Sequence, residues 1–330
     1  MRSSAAAAIL ESSLRKDLPT FLWGPPGVGK SQIVRQVGER MGLRVADTIR
    51  AIHLDPVDLR GVPSISEGLT VWCPPDFLPR EGEGLLFLDE LNAAPPLTQA
   101  GCFQLVEKPH RLGSYQLPSG WKVVGAGNRE HDRAVVSRMP SPLLNRFCHI
   151  EVEANLDDWI RDYAIPHKLP ADLTSFLRFR PDLLAPTPKP DEKAFPSPRS
   201  WAEFAVPMIP EESATSLVDR LSTAIGEGAA TEFVAFLRLA KKIPDLDKIF
   251  KAPDKAPIPK ADEPAMLYAL CGALAASTNL TNFASLVVYA NRLPAEFSVL
   301  LMRDCLARNK RLVNTSAHGS WAEKHAEVLI

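Results

Sequence analysis

The sequence predicts an α/β fold, a parallel sheet flanked by helices, followed by an all-helical region. Three observations predict it. Gly24-Pro25-Pro26-Gly27-Val28-Gly29-Lys30-Ser31 fits G-x-x-x-x-G-K-[ST] without a mismatch. Leu85-Leu86-Phe87-Leu88 is a continuous apolar run that ends on two acids, Asp89 and Glu90; such a run suits a strand buried on both faces of a parallel sheet. Beyond Ala154 the pattern is helical, with no strand.

In chain order, residues 3–16 read as an amphipathic helix, and Thr20-Phe21-Leu22-Trp23 as a short buried strand. The glycine-rich stretch follows. Its glycines allow torsions that a Cβ forbids, so successive N–H groups can turn inward around phosphate oxygens. Lys30 supplies a mobile cation for β and γ phosphates, and the Ser31 hydroxyl a ligand for Mg²⁺. Gln32 to Arg40 reads as a helix whose N-terminus points at those phosphates.

Thr48 to Leu54 is expected as the second strand, Asp55 to Gly61 as a turn-rich segment, and Ile65 to Trp72 as a small hairpin. The third strand ends on Asp89 and Glu90, at the edge where open α/β sheets bind ligands. There Asp89 would hold Mg²⁺ and Glu90 would polarise the attacking water. Asn92 to Val106 reads as helical and Arg111 to Gly120 as a second hairpin. Trp121 to Asn128 is a strand that ends in an amide, placed to orient water or touch the γ phosphate; the plainer reading of Asn128 is a turn former after glycine. Val135 to Asn145 is helix or loop, and Phe147 to Val152 the fifth strand, with Arg146 at its entry and Arg138 and Arg133 upstream.

Leu156 to Ala164 and Asp172 to Phe179 are expected helices, and Ala185 to Pro198 an exposed loop. Ser197 as N-cap and Pro198 at the first helical position mark a helix start. Arg199 then falls in the first turn, where the helix dipole disfavours a cation, a placement that hints at an anionic partner. Helices are expected at 213–226 and 229–241. The proline-rich stretch 243–264 reads as an exposed connector. Met266 to Ala276, Thr281 to Arg292 and Ala295 to Arg308 read as three amphipathic helices, and the polar tail from Asn309 as frayed.

The 330 residues suffice for two or three cores. A net charge of −1 supplies no global basic field for nucleic acid or anionic membrane. Five scattered cysteines without C-x-x-C suggest reduced thiols in a cytoplasmic protein. No apolar run approaches bilayer length. The seven histidines show no zinc spacing, and G-x-S-x-G is absent.

With these pieces in order, residues 5–205 resemble an AAA+ ATPase of the MoxR-like, helix-2-insert branch. Gly24 to Ser31 matches Walker A, and Leu85 to Glu90 matches Walker B. Asn128 sits at sensor 1, Arg146 at the arginine finger, and Arg199, in Ser197-Pro198-Arg199, at sensor 2. Where the family often has Asp-Arg-Phe, this chain has Asn145-Arg146-Phe147. Arg138 is the reserve candidate for the finger. The 65–72 hairpin looks like the helix-2 insert and the 111–120 hairpin like the pre-sensor-1 insert.

The resemblance implies a five-stranded αβα nucleotide-binding core over 1–154, a helical lid over 155–242, the connector 243–264, and a C-terminal helical extension over 265–330. It implies ATP and Mg²⁺ as ligands, Arg146 reaching the next subunit's site in a homo-oligomeric, hexameric ring, and Arg199 on the lid binding the γ phosphate. It also implies remodelling of a protein client beside a partner with a von Willebrand factor A domain. Two other classes compete. One is a nucleic-acid motor subunit of restriction type, against which the near-neutral charge argues. The other is a nucleotide-gated scaffold without turnover, against which the intact Glu90 argues.

Overall fold

A computed structural model describes residues 1–46, 49–129, 132, 138–189, 192–209 and 216–328. The chain divides into two compact units, Met1–Asn155 and Leu156–Ile330. Of the expectations above, Thr48, Arg133, residues 135–137 of the helix or loop before Asn145, and the first residues of the 213–226 helix lie outside the described residues.

The first unit holds a parallel sheet. Its strands are β1 (Thr20–Trp23), β2 (Arg44–Val45), β3 (Ile49–Arg50), β6 (Glu83–Asp89), β9 (Gly120–Gly127) and β10 (Cys148–Glu151), with two hairpins outside it: β4 (Val62–Ser66) with β5 (Leu69–Cys73), and β7 (Arg111–Leu112) with β8 (Tyr115–Gln116). The spatial order is β10-β1-β9-β6-β2, with β3 also on β6, and every pair within it is parallel. Each crossover therefore needs a connection over one face.

Alternation along the central strands builds two cores. Leu85 and Phe87 of β6 and Val124 and Ala126 of β9 pack on one side, with α1 (Ser3–Arg15) and α2 (Lys30–Met41). Leu86, Leu88 and Val123 pack on the other, with Leu59, Leu91, Leu105 and Phe147. The helices supply matching stripes: Ala6, Leu10 and Leu14 on α1, and Ile33, Val34 and Val37 on α2. The result is three layers, helix-sheet-helix, as the sequence predicts.

Three local expectations in this unit need correction. The second strand does not run unbroken over Thr48 to Leu54. It is the two-residue pieces β2 and β3 along β6, and Ala51–His53 is a 3-10 turn. Two-residue edge segments carry too little alternation to read from sequence. Asn92 to Val106 is not one helix but a 3-10 turn at Leu91–Ala93 and helices at Pro96–Gly101 and Phe103–Val106; Pro95 and Pro96 delay the start. The first hairpin is longer than 65–72 and turns at Glu67-Gly68. It is apolar and exposed, with Ile65 84% and Leu69 70% accessible.

In the second unit the described residues hold helices and no strand. Trp201, Phe176 and Phe233 meet edge to face or tilted, with centroids 5.1–5.8 Å apart. Helix Pro264–Ser277 packs near Ala171–Phe179, so that a side chain at Gly272 would overlap Ser175. Residues 243–264, expected as an exposed connector, carry helix Leu246–Lys251, with Ile249 and Ala256 buried. The Tyr289 hydroxyl donates to the Pro257 carbonyl at 2.7 Å. The tail from Asn309 is folded rather than frayed: helix Ser316–Lys324 buries Trp321, whose indole N–H donates to Ser298 Oγ at 2.9 Å.

Candidate functional site

The C-terminal ends of β1, β6 and β9 lie side by side because the three strands are adjacent and parallel. Gly24 follows β1, Asp89 ends β6 and Asn128 follows β9. The sheet alone thus brings the glycine-rich loop, the acids and the amide to one edge.

Gly27 and Gly29 adopt φ of 76° and 100°, in the left-handed region that favours glycine. Gly29 is the N-cap of α2, so the loop runs directly into the first turn of the helix. Gly24 is held close to its neighbours: a Cβ there would come within 2.7 Å of the Val152 carbonyl.

Lys30 is buried, 8% exposed. Its ammonium donates to the Gly24 carbonyl at 2.7 Å, the Pro25 carbonyl at 3.1 Å and Asn128 Oδ1 at 2.8 Å. The loop lysine and the amide at the end of β9, 98 residues apart, are therefore in direct contact. Ser31 Oγ donates to Asp89 Oδ2 at 2.8 Å, while the Glu90 N–H donates to Asp89 Oδ1 at 3.0 Å. Both oxygens of Asp89 are thus oriented. Glu90 itself has φ of 55°. For a non-glycine residue such a torsion costs about 1–3 kcal/mol and clusters at functional sites.

A hydroxyl and a carboxylate held together are hard oxygen donors of the kind that suits Mg²⁺. Among the described residues no group of three or more His, Cys, Asp or Glu side chains could hold a metal on its own, so any ion here would draw further oxygens from phosphate and water.

The remaining candidates lie elsewhere. Arg146 stands before β10, at the N-terminal edge of the sheet, opposite the loop. Its guanidinium donates to Glu107 Oε2 at 2.7 and 3.1 Å and to the Pro142 carbonyl at 2.6 Å, and lies 5.6 Å from the Phe103 ring. Beside it is a groove of about 680 Å³, lined by Ser141, Pro142, Leu144, Asn145, Phe147 and His149. Arg138 is exposed. Arg199 belongs to the second unit. Ser197 Oγ accepts the Ser200 N–H at 3.0 Å, the N-cap bond the sequence predicts, and the exposed Arg199 lies 3.9 Å from Glu203.

Sequence reasoning missed two residues. Asn92 is buried, 3% exposed, and its amide donates to the Asn128 carbonyl at 2.6 Å. Its one signal is a polar residue inside an apolar turn. Glu107 carries no local signal, because its partner is 39 residues away. Next to Asn128, the Asp132 carboxylate accepts from Arg129 Nε and Nη2 and holds that guanidinium above its ordinary pKa.

Residues 19–147 match the family model of the AAA domain, dynein-related subfamily. The match falls within the first unit and covers most of it. Midasin of Giardia intestinalis is 27% identical over 164 residues, 47% of this chain. The match spans about 3% of midasin's own length. Among solved structures, a RuvB variant of Thermotoga maritima is 17% identical, with a TM-score of 0.38 over 83% of this chain and 79% of its own. NtrX of Brucella abortus is 15% identical, with a TM-score of 0.35 over 94% and 68%. At these scores the two structures add nothing to the reading of this chain. No helix among the described residues is long and apolar enough to cross a membrane.

Proposed function

We propose that the chain is a MoxR-like AAA+ ATPase that hydrolyses ATP with Mg²⁺ and uses the cycle to remodel a protein client in the cytoplasm. The observation that carries this reading is the joined set at the sheet edge: Lys30 on Asn128, Ser31 on Asp89, and Glu90 turned out of β6. The two hairpins, β4–β5 and β7–β8, stand where the MoxR-like branch has its inserts, which supports the finer placing.

In this reading the N–H groups of Gly24 to Ser31 and the Lys30 ammonium hold the β and γ phosphates. Ser31 and Asp89 would hold Mg²⁺, which when bound would supply positive charge against the phosphate oxygens. Glu90 takes a proton from water as its oxygen bonds to the γ phosphorus and the bond to the bridging oxygen breaks, releasing ADP and phosphate. Asn128 orients the water or the γ phosphate. Arg199 on the lid reads the same group.

Arg146 serves the neighbouring subunit in a ring, hexameric as the family implies. Its place at the opposite edge of the sheet supports this. Four residues of β10 at ~3.3 Å each separate it from the loop's edge by more than ~13 Å, which an arginine side chain does not span. The client is presented by a protein with a von Willebrand factor A domain.

The test is phosphate release with and without Mg²⁺, followed by capture of partners on the ATP-locked Glu90→Gln ring from its native host. Mg²⁺-dependent release and recovery of such an adaptor support the reading. Release that ignores Mg²⁺ and Glu90 refutes the chemistry. Recovery of DNA-processing subunits instead moves the assignment to a nucleic-acid motor.

A further inference from the structure

The Asn92 amide joins the two halves of the site. It sits in the turn Leu91–Ala93, directly after Asp89 and Glu90, and this turn is closed by Ala93 N–H on the Glu90 carbonyl at 2.9 Å. Nδ2 of Asn92 donates across to the Asn128 carbonyl at 2.6 Å. Asn128 Oδ1 in turn accepts from Lys30. A continuous path therefore runs from the acids of β6, through Asn92 and Asn128, to the loop lysine.

The fit around this amide is close. A side chain on Gly127 would overlap Asn92 Oδ1, so glycine at the end of β9 is what lets the amide lie against the backbone. Asn92 Oδ1 is buried and accepts no hydrogen bond from the described residues. An apolar residue would suit this turn better if packing were its sole task, because a buried acceptor without a donor is costly. Among the described residues, the bond this side chain makes goes to Asn128, the residue assigned above to the water or the γ phosphate.

We infer that Asn92 is a positioning residue: it fixes where Asn128 presents its side chain between Lys30 and the water-activating Glu90. The inference rests on the ATPase reading above. Asn92 touches neither substrate nor metal in this scheme, and it acts only through Asn128. Its loss should slow turnover and leave nucleotide affinity nearly alone, because Lys30 keeps the Gly24 and Pro25 carbonyls and Ser31 keeps Asp89.

The experiment is a double-mutant cycle on the full chain: parent, Asn92→Ala, Asn128→Ala and the pair. Phosphate release gives kcat, and a fluorescent ATP analogue gives Kd. Asn92→Ala is expected to lower kcat about 10-fold with Kd within about 2-fold, and to lower it by less than about 2-fold more once Asn128 is already alanine. A merely structural role would instead cost the same factor in both backgrounds, and that additivity overturns this inference alone. A parental kcat for Asn128→Ala overturns the role of Asn128 and this inference with it. Should Asn92→Ala not fold, Asn92→Ser keeps a small polar side chain and the same cycle is read.

Discussion

The position of Arg146 makes a quantitative prediction about mixed rings. It stands at the N-terminal edge of β10, whereas Lys30, Asp89 and Asn128 stand at the C-terminal edge of the neighbouring strands. In the proposed ring, each interface would use the loop of one subunit and the arginine of the next. Arg146→Ala should bind ATP and lose turnover by about 10³-fold or more, the usual worth of such an arginine. Lys30→Ala should lose binding. Mixed in equal amounts, the two variants create repaired interfaces wherever a subunit with intact Lys30 abuts one with intact Arg146. Each condition is met half the time, so about one quarter of the interfaces, and of the parental activity, should return. The assay is steady-state phosphate release after subunit exchange, with exchange itself verified by energy transfer between labelled subunits. Activity that stays at the floor in a fully exchanged mixture would refute the arrangement, and repetition with Arg138→Ala would show whether the reserve arginine is the one delivered.

Glu90→Gln should retain ATP binding and lose turnover by orders of magnitude, since only the water-activating group changes; hydrolysis at the parental rate would remove Glu90 from that role. The Arg178 side chain, 8% exposed, donates to both oxygens of Asp304 and also reaches Asp157 at 2.9 Å. Arg178→Met strands the Asp304 carboxylate and should cost about 3–5 kcal/mol in urea unfolding, most of it recovered by adding Asp304→Leu. Cys73 and Cys148 are exposed, while Cys102, Cys271 and Cys305 are buried. Burial pushes the Cys102 and Cys305 thiols up to about 12 and raises Cys271 as well. With ~10³-fold less thiolate, these three should stay unlabelled by Ellman's reagent at pH 8 until the protein is unfolded, while the two exposed cysteines react at once.

The parts of the fold legible in the sequence are those where one residue type is forced. Gly27 and Gly29 announce the loop because their torsions exclude other residues. Leu85 to Leu88 announces β6 because both its faces are buried. Where a contact joins distant residues, nothing local marks it. Asn92 reads as one polar residue in a turn until β9 places Asn128 beside it. Residues 243–264 read as a connector because five prolines dominate the pattern and mask its apolar residues, of which Ile249 and Ala256 are buried and Ile243, Leu246, Phe250 and Ile258 pack partly buried beside them. In the tail, Leu312 and Trp321 are too few among polar neighbours to signal burial, yet the Ser298 hydroxyl gives the indole a partner in the interior. Arg199 falls in a first turn, where its charge works against the helix dipole. The structure adds Glu203, one turn further on at 3.9 Å, which offsets part of that cost.

The Arg146–Glu107 pair looks at first like an obstacle to an arginine proposed to serve another subunit, and magnitudes decide otherwise. Glu107 is about half exposed and Arg146 more than a quarter exposed. A solvent-accessible ion pair of this kind is worth about 0–1 kcal/mol. Stabilisation of a transferring phosphoryl group by an arginine is worth about 4 kcal/mol, the equivalent of 10³-fold. The contact with Glu107 therefore cannot outcompete phosphate once a neighbour brings it near. It can do something cheaper. With the Pro142 carbonyl and the Phe103 ring it restricts a side chain that carries about 2 kcal/mol of rotamer entropy, so part of the cost of ordering the guanidinium is met before the subunits meet. On the proposed reading, these contacts hold the guanidinium at the edge opposite the loop before a partner's site arrives.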